Sequence, residues 1–153
     1  MKFALWRILR ISLVVSIFGL IGATGADKLN PKAISIKLPD QINWVEGKNG
    51  AAQAILVGDP AKPGLYIVLT KWHAHHMSHP HFHPHDRYIT VLSGTWWVGT
   101  GTKYDPDSTV PIPAGSFVTH FGKEIHYDGA KDQDVVLQIL GEGPATGVDA
   151  EVK

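Results

Sequence analysis

The chain lacks cysteine among its 153 residues. It can therefore form no disulfide bond and no thiolate metal site. It also lacks an excess of either charge, since 14 basic residues balance 14 acidic residues. Without a basic surface there is no electrostatic reason to expect a nucleic-acid partner. A Gly-rich phosphate loop and a Gly-x-Ser-x-Gly nucleophile elbow are missing from the sequence as well.

A helical repeat of apolar residues is also lacking after residue 26. Short alternating or β-branched runs bounded by Gly and Pro occur instead, which is the pattern of strands and turns. Such strands at short spacing predict an all-β sandwich or barrel, and the length favours one domain. We expect strands at 34–38, 51–57, 65–72, 88–93, 96–98, 109–112, 116–120, 125–127 and 134–140.

The N-terminus carries the longest apolar run. Basic residues without an acidic one precede an apolar stretch at 11–22, and small residues follow it at 23–26. This order and a length of about a dozen apolar residues are typical of a secretory signal peptide. We predict a signal peptide over residues 1–26, cleaved after Ala26 or after Gly25.

Cleavage would leave a mature domain at 27–153 that is secreted and periplasmic, without stable membrane association. The alternative is an uncleaved anchor, because residues 3–6 could extend the apolar stretch towards the roughly 20 residues that span a bilayer.

Histidine is concentrated in one tract, which holds seven of the nine histidines. Neutral imidazole is the commonest metal ligand in proteins. His81 and His83 are two residues apart, just before the strand at 88–93, so their side chains can share a face. The tract comprises His73, His75, His76, His79, His81, His83 and His85.

Two motifs resemble those of the cupins. His81-x-His83 with Gly94 after the next strand is similar to the first cupin motif, and residues 115–126 are similar to the second. The resemblance implies a single cupin jelly-roll barrel, or double-stranded β-helix, around a divalent metal ion. Zn, Fe, Mn, Ni and Cu are not distinguished. It implies His81 and His83 as ligands with His126 as the third, and His120 is the alternative to His126.

The first motif departs from the family at one position, where Arg87 replaces the usual glutamate ligand. Arginine stays protonated and cannot ligate a cation. Two positive centres 4 Å apart repel by about 4 kcal/mol at an effective dielectric near 20. Three alternatives follow: a site of histidines alone, a fourth ligand from His85 or Asp86, or a metal-free pocket in which Arg87 binds an anion.

Other residues near the motifs are candidates for substrate contacts, together with Arg87. We expect parity along the strand to place His85 on the same face as Arg87. Trp96 and Trp97 are adjacent in a strand, so only one of them can face the cavity. Asp128 is interpreted as the start of an Asp-Gly turn. The candidate substrate-binding residues are Arg87, His85, His120, Tyr88 and Trp97.

The histidines at 73–79 are interpreted as loop residues, although their spacing also allows a surface metal site. The resemblance allows a homodimer through sheet edges, and it leaves the reaction open because cupins carry many chemistries. We predict a metal-binding cupin that acts as an oxygenase or isomerase on a small anionic organic molecule. The alternative is a noncatalytic periplasmic protein that binds a small molecule or metal. No catalytic residue can be named.

Overall fold

The computed structural model describes Gly25 and residues 28–153. The predicted signal peptide therefore lies, apart from Gly25, outside the described residues. Within them, no helix combines the length and the apolar character needed to cross a membrane. The chain divides into two compact units after Ile36.

The strand expected at 34–38 is wrong. These residues have no regular structure, and Ile34 and Ile36 remain 50% and 40% exposed. Their alternation with polar residues imitates a strand, but none of the strand pairings in the described chain includes them. A strand without a pairing partner has no ladder of hydrogen bonds to hold it.

The second unit, residues 37–153, is built from short strands, and its described helices are single 3-10 turns at Pro39–Gln41 and Pro106–Ser108. All strand pairs are antiparallel. The strands are β1 (Val45–Glu46), β2 (Ala51–Val57), β3 (Gly64–Trp72), β4 (His81–Phe82), β5 (Arg87–Ser93), β6 (Thr95–Thr100), β7 (Val110–Pro113), β8 (Phe117–His120), β9 (His126–Gly129), β10 (Val135–Gly143) and β11 (Val148–Asp149).

They form two sheets. One sheet has the order β1-β2-β3-β10-β5-β8, and the other has the order β11-β4-β9-β6-β7. This arrangement confirms the all-β prediction. Alternate residues of the central strands point inward, as the two-residue period of a strand requires. The buried core includes Ile89 and Val91 from β5, Leu137 from β10, and Trp96 from β6 of the other sheet.

The chain crosses from one sheet to the other inside the histidine tract. His81 in β4 pairs with His126 in β9 of the smaller sheet. Arg87 begins β5 and pairs with His120 in β8 of the larger sheet. The crossover therefore brings histidines of both predicted motifs to one end of the space between the sheets.

Candidate metal centre and its cavity

Three histidines meet where β4 and β9 pair. One ring nitrogen from each of His81, His83 and His126 lies within 4.8 Å of the other two. The Nε2 atoms of His81 and His83 are 3.1 Å apart. His83 and His126 are buried, at 9% and 4% exposure. The three residues expected to hold a metal ion therefore form a group that could hold one.

Backbone carbonyl groups fix the tautomer of all three rings. Nδ1 of His81 is 2.8 Å from the His79 carbonyl oxygen. Nδ1 of His83 is 3.2 Å from the carbonyl oxygen of Thr146. Nδ1 of His126 is 3.0 Å from the Glu124 oxygen. A carbonyl oxygen only accepts, so each Nδ1 carries a proton and Nε2 is the nitrogen left to act as a ligand.

Burial favours the uncharged form of His83 and His126. It lowers the pKa of His83 to about 3, and the positive charge of Arg87 acts in the same direction. Burial also lowers the pKa of His126, although the carboxylate of Asp128 opposes that shift. Neutral imidazole is the form that binds a metal, so at pH 7 these two rings would not have to lose a proton first.

The donor set fits a divalent transition metal. Two bare lone pairs 3.1 Å apart repel each other unless a cation lies between them. Nitrogens each about 2.0–2.1 Å from Zn²⁺ stand roughly 3.3 Å apart at a tetrahedral angle. Imidazole suits Zn, Cu, Fe and Ni. The spacing and the fixed tautomers thus match metal coordination, without selecting the metal.

Arg87 lies beside this group. Its Nη2 is 3.3 Å from Nε2 of His126 and 3.2 Å from Nδ1 of His120. Its Nε is buried without an acceptor among the described residues. No described carboxylate oxygen lies within 4.0 Å of the guanidinium. Burial lowers the pKa of Arg87, and the negative charge of Asp128 opposes that shift.

His120 is buried next to His126 but outside the group of three. The ring centroids of the two residues are 3.9 Å apart. Arg87 can only donate, so Nδ1 of His120 accepts and its Nε2 carries the proton. That Nε2 has no partner among the described residues. Burial lowers the pKa of His120 to about 2. His120 belongs to a second group that could hold a metal, with His126 and Asp128.

A cavity of about 640 Å³ opens between the sheets at this point. Leu137 and Ile139 contribute apolar wall. The polar and aromatic side chains that line the cavity include His81, His83, Arg87, Trp72, Trp96 and Asp128.

Asp128 is the residue of the site that the sequence interpretation missed. It lies inside β9, is 5% exposed, and does not start a turn. Its Oδ1 accepts from Nε1 of Trp72 and Nε1 of Trp96, both at 3.0 Å. Its position two residues after His126 was the available signal, because strand parity places both side chains on one face.

Three predicted substrate contacts are not brought to the cavity. His85 is exposed in the bend between β4 and β5, where the break in the strand ends the expected parity with Arg87. Tyr88 is 44% exposed and stacks on Phe117. Trp97 packs under the ammonium group of Lys131. Trp96 faces inward instead. Of the candidates, Arg87 lines the cavity and His120 lies behind it in contact with Arg87.

The loop histidines form no metal group within the described chain. Both groups that could hold a metal are drawn from other residues. His73 contacts Glu46 at 3.0 Å and Asp134 at 3.5 Å. His79 contacts Glu151 at 3.0 Å.

Solved structures of similar shape identify the fold. No family model and no curated protein matches the chain. The polyketide cyclase RemF from Streptomyces resistomycificus superposes with a TM-score of 0.65 at 12% identity, covering 78% of this chain and 87% of that one. A cupin-2 domain protein of Rhodospirillum rubrum gives 0.58 at 12% identity, covering 75% and 78%.

The DMSP lyase DddQ from Ruegeria pomeroyi gives a TM-score of 0.57 at 17% identity, covering 73% of this chain and 64% of its own. Identities this low establish the fold alone. The fold is that of the cupins, a jelly roll or double-stranded β-helix, as the two motifs predicted.

Proposed function

We propose that this protein is a metal-dependent enzyme, of oxygenase or isomerase type, acting on a small anionic organic substrate. The observation that carries the proposal is the convergence of three Nε2 lone pairs, each fixed by a carbonyl bond on Nδ1. Histidines with a purely structural role would not need their remaining ring nitrogens to converge on one point. Cupin neighbours that include a polyketide cyclase and a DMSP lyase support a role on small molecules.

His81, His83 and His126 would hold the metal, which would supply Lewis-acid polarisation of a bound oxygen atom or activation of O₂ or water. The remaining roles belong to the protein. Arg87 pairs with the negative charge of the substrate, since no described carboxylate neutralises it. Leu137 and Ile139 contribute apolar wall to the same cavity, and an ion pair is stronger in less polar surroundings.

A noncatalytic binding protein is the second candidate. The contact between Arg87 Nη2 and His126 Nε2 favours it, because the guanidinium occupies the lone pair that a metal would need. A charge of the same sign at that position weakens metal binding unless an anion bridges the two.

Metal content tests the first proposal. The mature wild-type protein should hold about one equivalent of a single metal by elemental analysis, after loading and desalting. His81→Ala and His126→Ala should lose it, whereas His85→Ala, from the exposed end of the same tract, should keep it. Equal metal in all four proteins would place the metal on surface histidines and contradict the proposal. No metal in the wild type would favour the noncatalytic candidate.

Export is part of the proposal and has its own test. The apolar run at 11–22 with small residues after it supports a cleaved signal and a periplasmic protein. The intact mass of the protein recovered from a periplasmic extract should correspond to a chain that begins at residue 26 or 27. A full-length mass in the membrane fraction would instead indicate the uncleaved anchor.

A further inference from the structure

The cavity contains two opposite charges that do not contact each other. Arg87 and Asp128 both line it. No oxygen of Asp128 lies within 4.0 Å of the Arg87 guanidinium, since the two form no ion pair among the described residues. Each of the two groups therefore keeps hydrogen-bonding capacity that the other does not use.

Asp128 is held in place as a hydrogen-bond acceptor. Two indole N–H groups fix Oδ1, and the backbone N–H of Asp128 donates to Ser78 Oγ at 2.9 Å. No described side chain donates to Oδ2. Indole nitrogen donates only, so both contacts use Oδ1 as the acceptor and leave Oδ2 with unused acceptor capacity.

Arg87 offers the opposite chemistry. Only Nη2 has partners, and the described residues provide no acceptor for Nε or for Nη1. A guanidinium binds a carboxylate through two parallel N–H···O bonds more strongly than it binds a neutral acceptor. Arg87 can therefore donate to an anion in the cavity, and Asp128 Oδ2 can accept from a hydrogen-bond donor there.

We infer that the cavity selects small carboxylic acids that also carry a hydrogen-bond donor, such as a hydroxyl or amino group, within a few atoms of the carboxylate. Arg87 binds the carboxylate and Asp128 Oδ2 accepts from the donor. This inference rests on the proposed function for its anionic ligand. It adds that the ligand carries a hydrogen-bond donor and that Asp128 accepts from this donor. A dianion is disfavoured, because its second carboxylate would meet Asp128.

Matched probes test the inference on the full mature protein. Propionate and lactate differ by one hydroxyl group, and malonate carries a second carboxylate. Trp72 and Trp96 line the cavity, so their fluorescence reports binding, and calorimetry gives the affinity independently. We expect wild type to bind lactate about tenfold or more tightly than propionate, the effect of one charge-assisted hydrogen bond, and to bind malonate more weakly than lactate.

Asp128→Asn keeps an oxygen for the indoles and removes the charge. It should bind propionate as wild type does but lose the preference for lactate. A preference that survives in this variant would come from chelation of the metal by the hydroxy acid and would overturn the inference. Malonate binding more tightly than lactate to wild type, or no saturable binding of any probe, would also overturn it, and neither needs the variant to fold.

Arg87→Gln separates the inference from the proposed function. It should weaken binding of both propionate and lactate by about tenfold or more, because both use the same ion pair. Unchanged affinity in this variant would remove the anion site and with it the anionic substrate of the proposed function. If only the Asp128→Asn result contradicted expectation, the inference would fail. The anion site at Arg87 and the metal test on the histidine variants would still stand.

Discussion

We expect Arg87 to limit how tightly the three histidines can hold a metal, because its Nη2 lies 3.3 Å from Nε2 of His126. We expect Arg87→Glu to raise metal affinity by at least tenfold, because it removes a positive charge next to His126 and adds an oxygen ligand. Competition against a metal-sensitive chelator measures the change. Arg87→Gln separates the two effects, since it removes the positive charge without adding a charged ligand. Its metal affinity should lie between those of wild type and Arg87→Glu. An Arg87→Glu protein that binds no more tightly than wild type would contradict the repulsion argument.

The buried histidines make the metal-free protein sensitive to acid. His83 and His120 have pKa values near 3 and 2 in the folded chain and about 6.5 when unfolded. Below pH 6.5 these two histidines bind protons in the unfolded chain but stay neutral in the folded chain. The free energy of unfolding should therefore decrease as the pH is lowered below 6.5, by up to roughly 1.4 kcal/mol per pH unit for each histidine.

Urea unfolding between pH 7 and pH 4 measures this slope. His120→Gln should reduce it by about the share of one histidine, because the glutamine does not titrate. His85→Gln is the matched control, since that histidine is exposed, and it should leave the slope as in wild type. Equal slopes in all three proteins would show that His120 is not held neutral by burial.

At this scale the sequence predicted the histidines and missed the carboxylate. His81, His83 and His126 were identifiable from spacing and resemblance. Asp128-Gly129 has the composition of a turn, yet it continues β9. Gly129 is needed for a different reason: a Cβ there would lie 2.3 Å from the His76 carbonyl oxygen. Only the tertiary packing shows why this glycine is in a strand.

At the level of elements, β9 depends on that close approach. Gly129→Ala would place a methyl group against the backbone of His76 and Met77. We expect a loss of about 2–4 kcal/mol in the free energy of unfolding, since backbone atoms can yield only by shifting the strand. Denaturant unfolding measures the loss, and metal content should fall with it, because β9 also carries His126.

Gly147→Ala is the matched control for that substitution. A Cβ at Gly147 would meet the rings of His83 and His81 at 3.7 and 3.8 Å, which is ordinary contact distance. This variant should retain the wild-type free energy of unfolding within about 0.5 kcal/mol. If Gly129→Ala were equally harmless, β9 would not be packed against the backbone of His76 and Met77.

The long strands were more predictable than the crossover between them. The expected strand at 51–57 matches β2, and that at 65–72 matches β3 to within one residue. Both have dense apolar patterns that fit a buried sheet. β4 has only two residues and is defined by its pairing with β9 and β11. No local pattern predicts so short a strand, and the parity expected between His85 and Arg87 fails because β4 ends at Phe82.

Taken as a whole, the molecule should be stabilised by the metal that we propose it binds. A ligand that binds only the folded state adds about 2.7 kcal/mol at 100 times its Kd, which raises Tm by roughly 10 °C for a chain of this size. Differential scanning calorimetry with and without added metal measures the rise. His81→Ala should abolish it. A rise that survives in His81→Ala would place the metal elsewhere.

The overall architecture was accessible because two motifs in order imply both the sheets and their connection. The jelly roll pairs distant segments, such as β3 with β10. Apolar alternation alone predicts strands but not which strands pair, so the resemblance supplied the topology that periodicity could not. The export signal lies outside the described residues and remains a prediction.

The carbonyl bonds that lock the three imidazoles make the centre preorganised. The three ring nitrogens are already oriented for a metal, so binding would relieve the repulsion between their lone pairs and would not have to order a loop. Such a site gains affinity for every imidazole-seeking ion, in the Irving–Williams order, and has little means of rejecting copper or zinc by geometry. The identity of any metal bound there would then be decided by which ions the protein's compartment supplies.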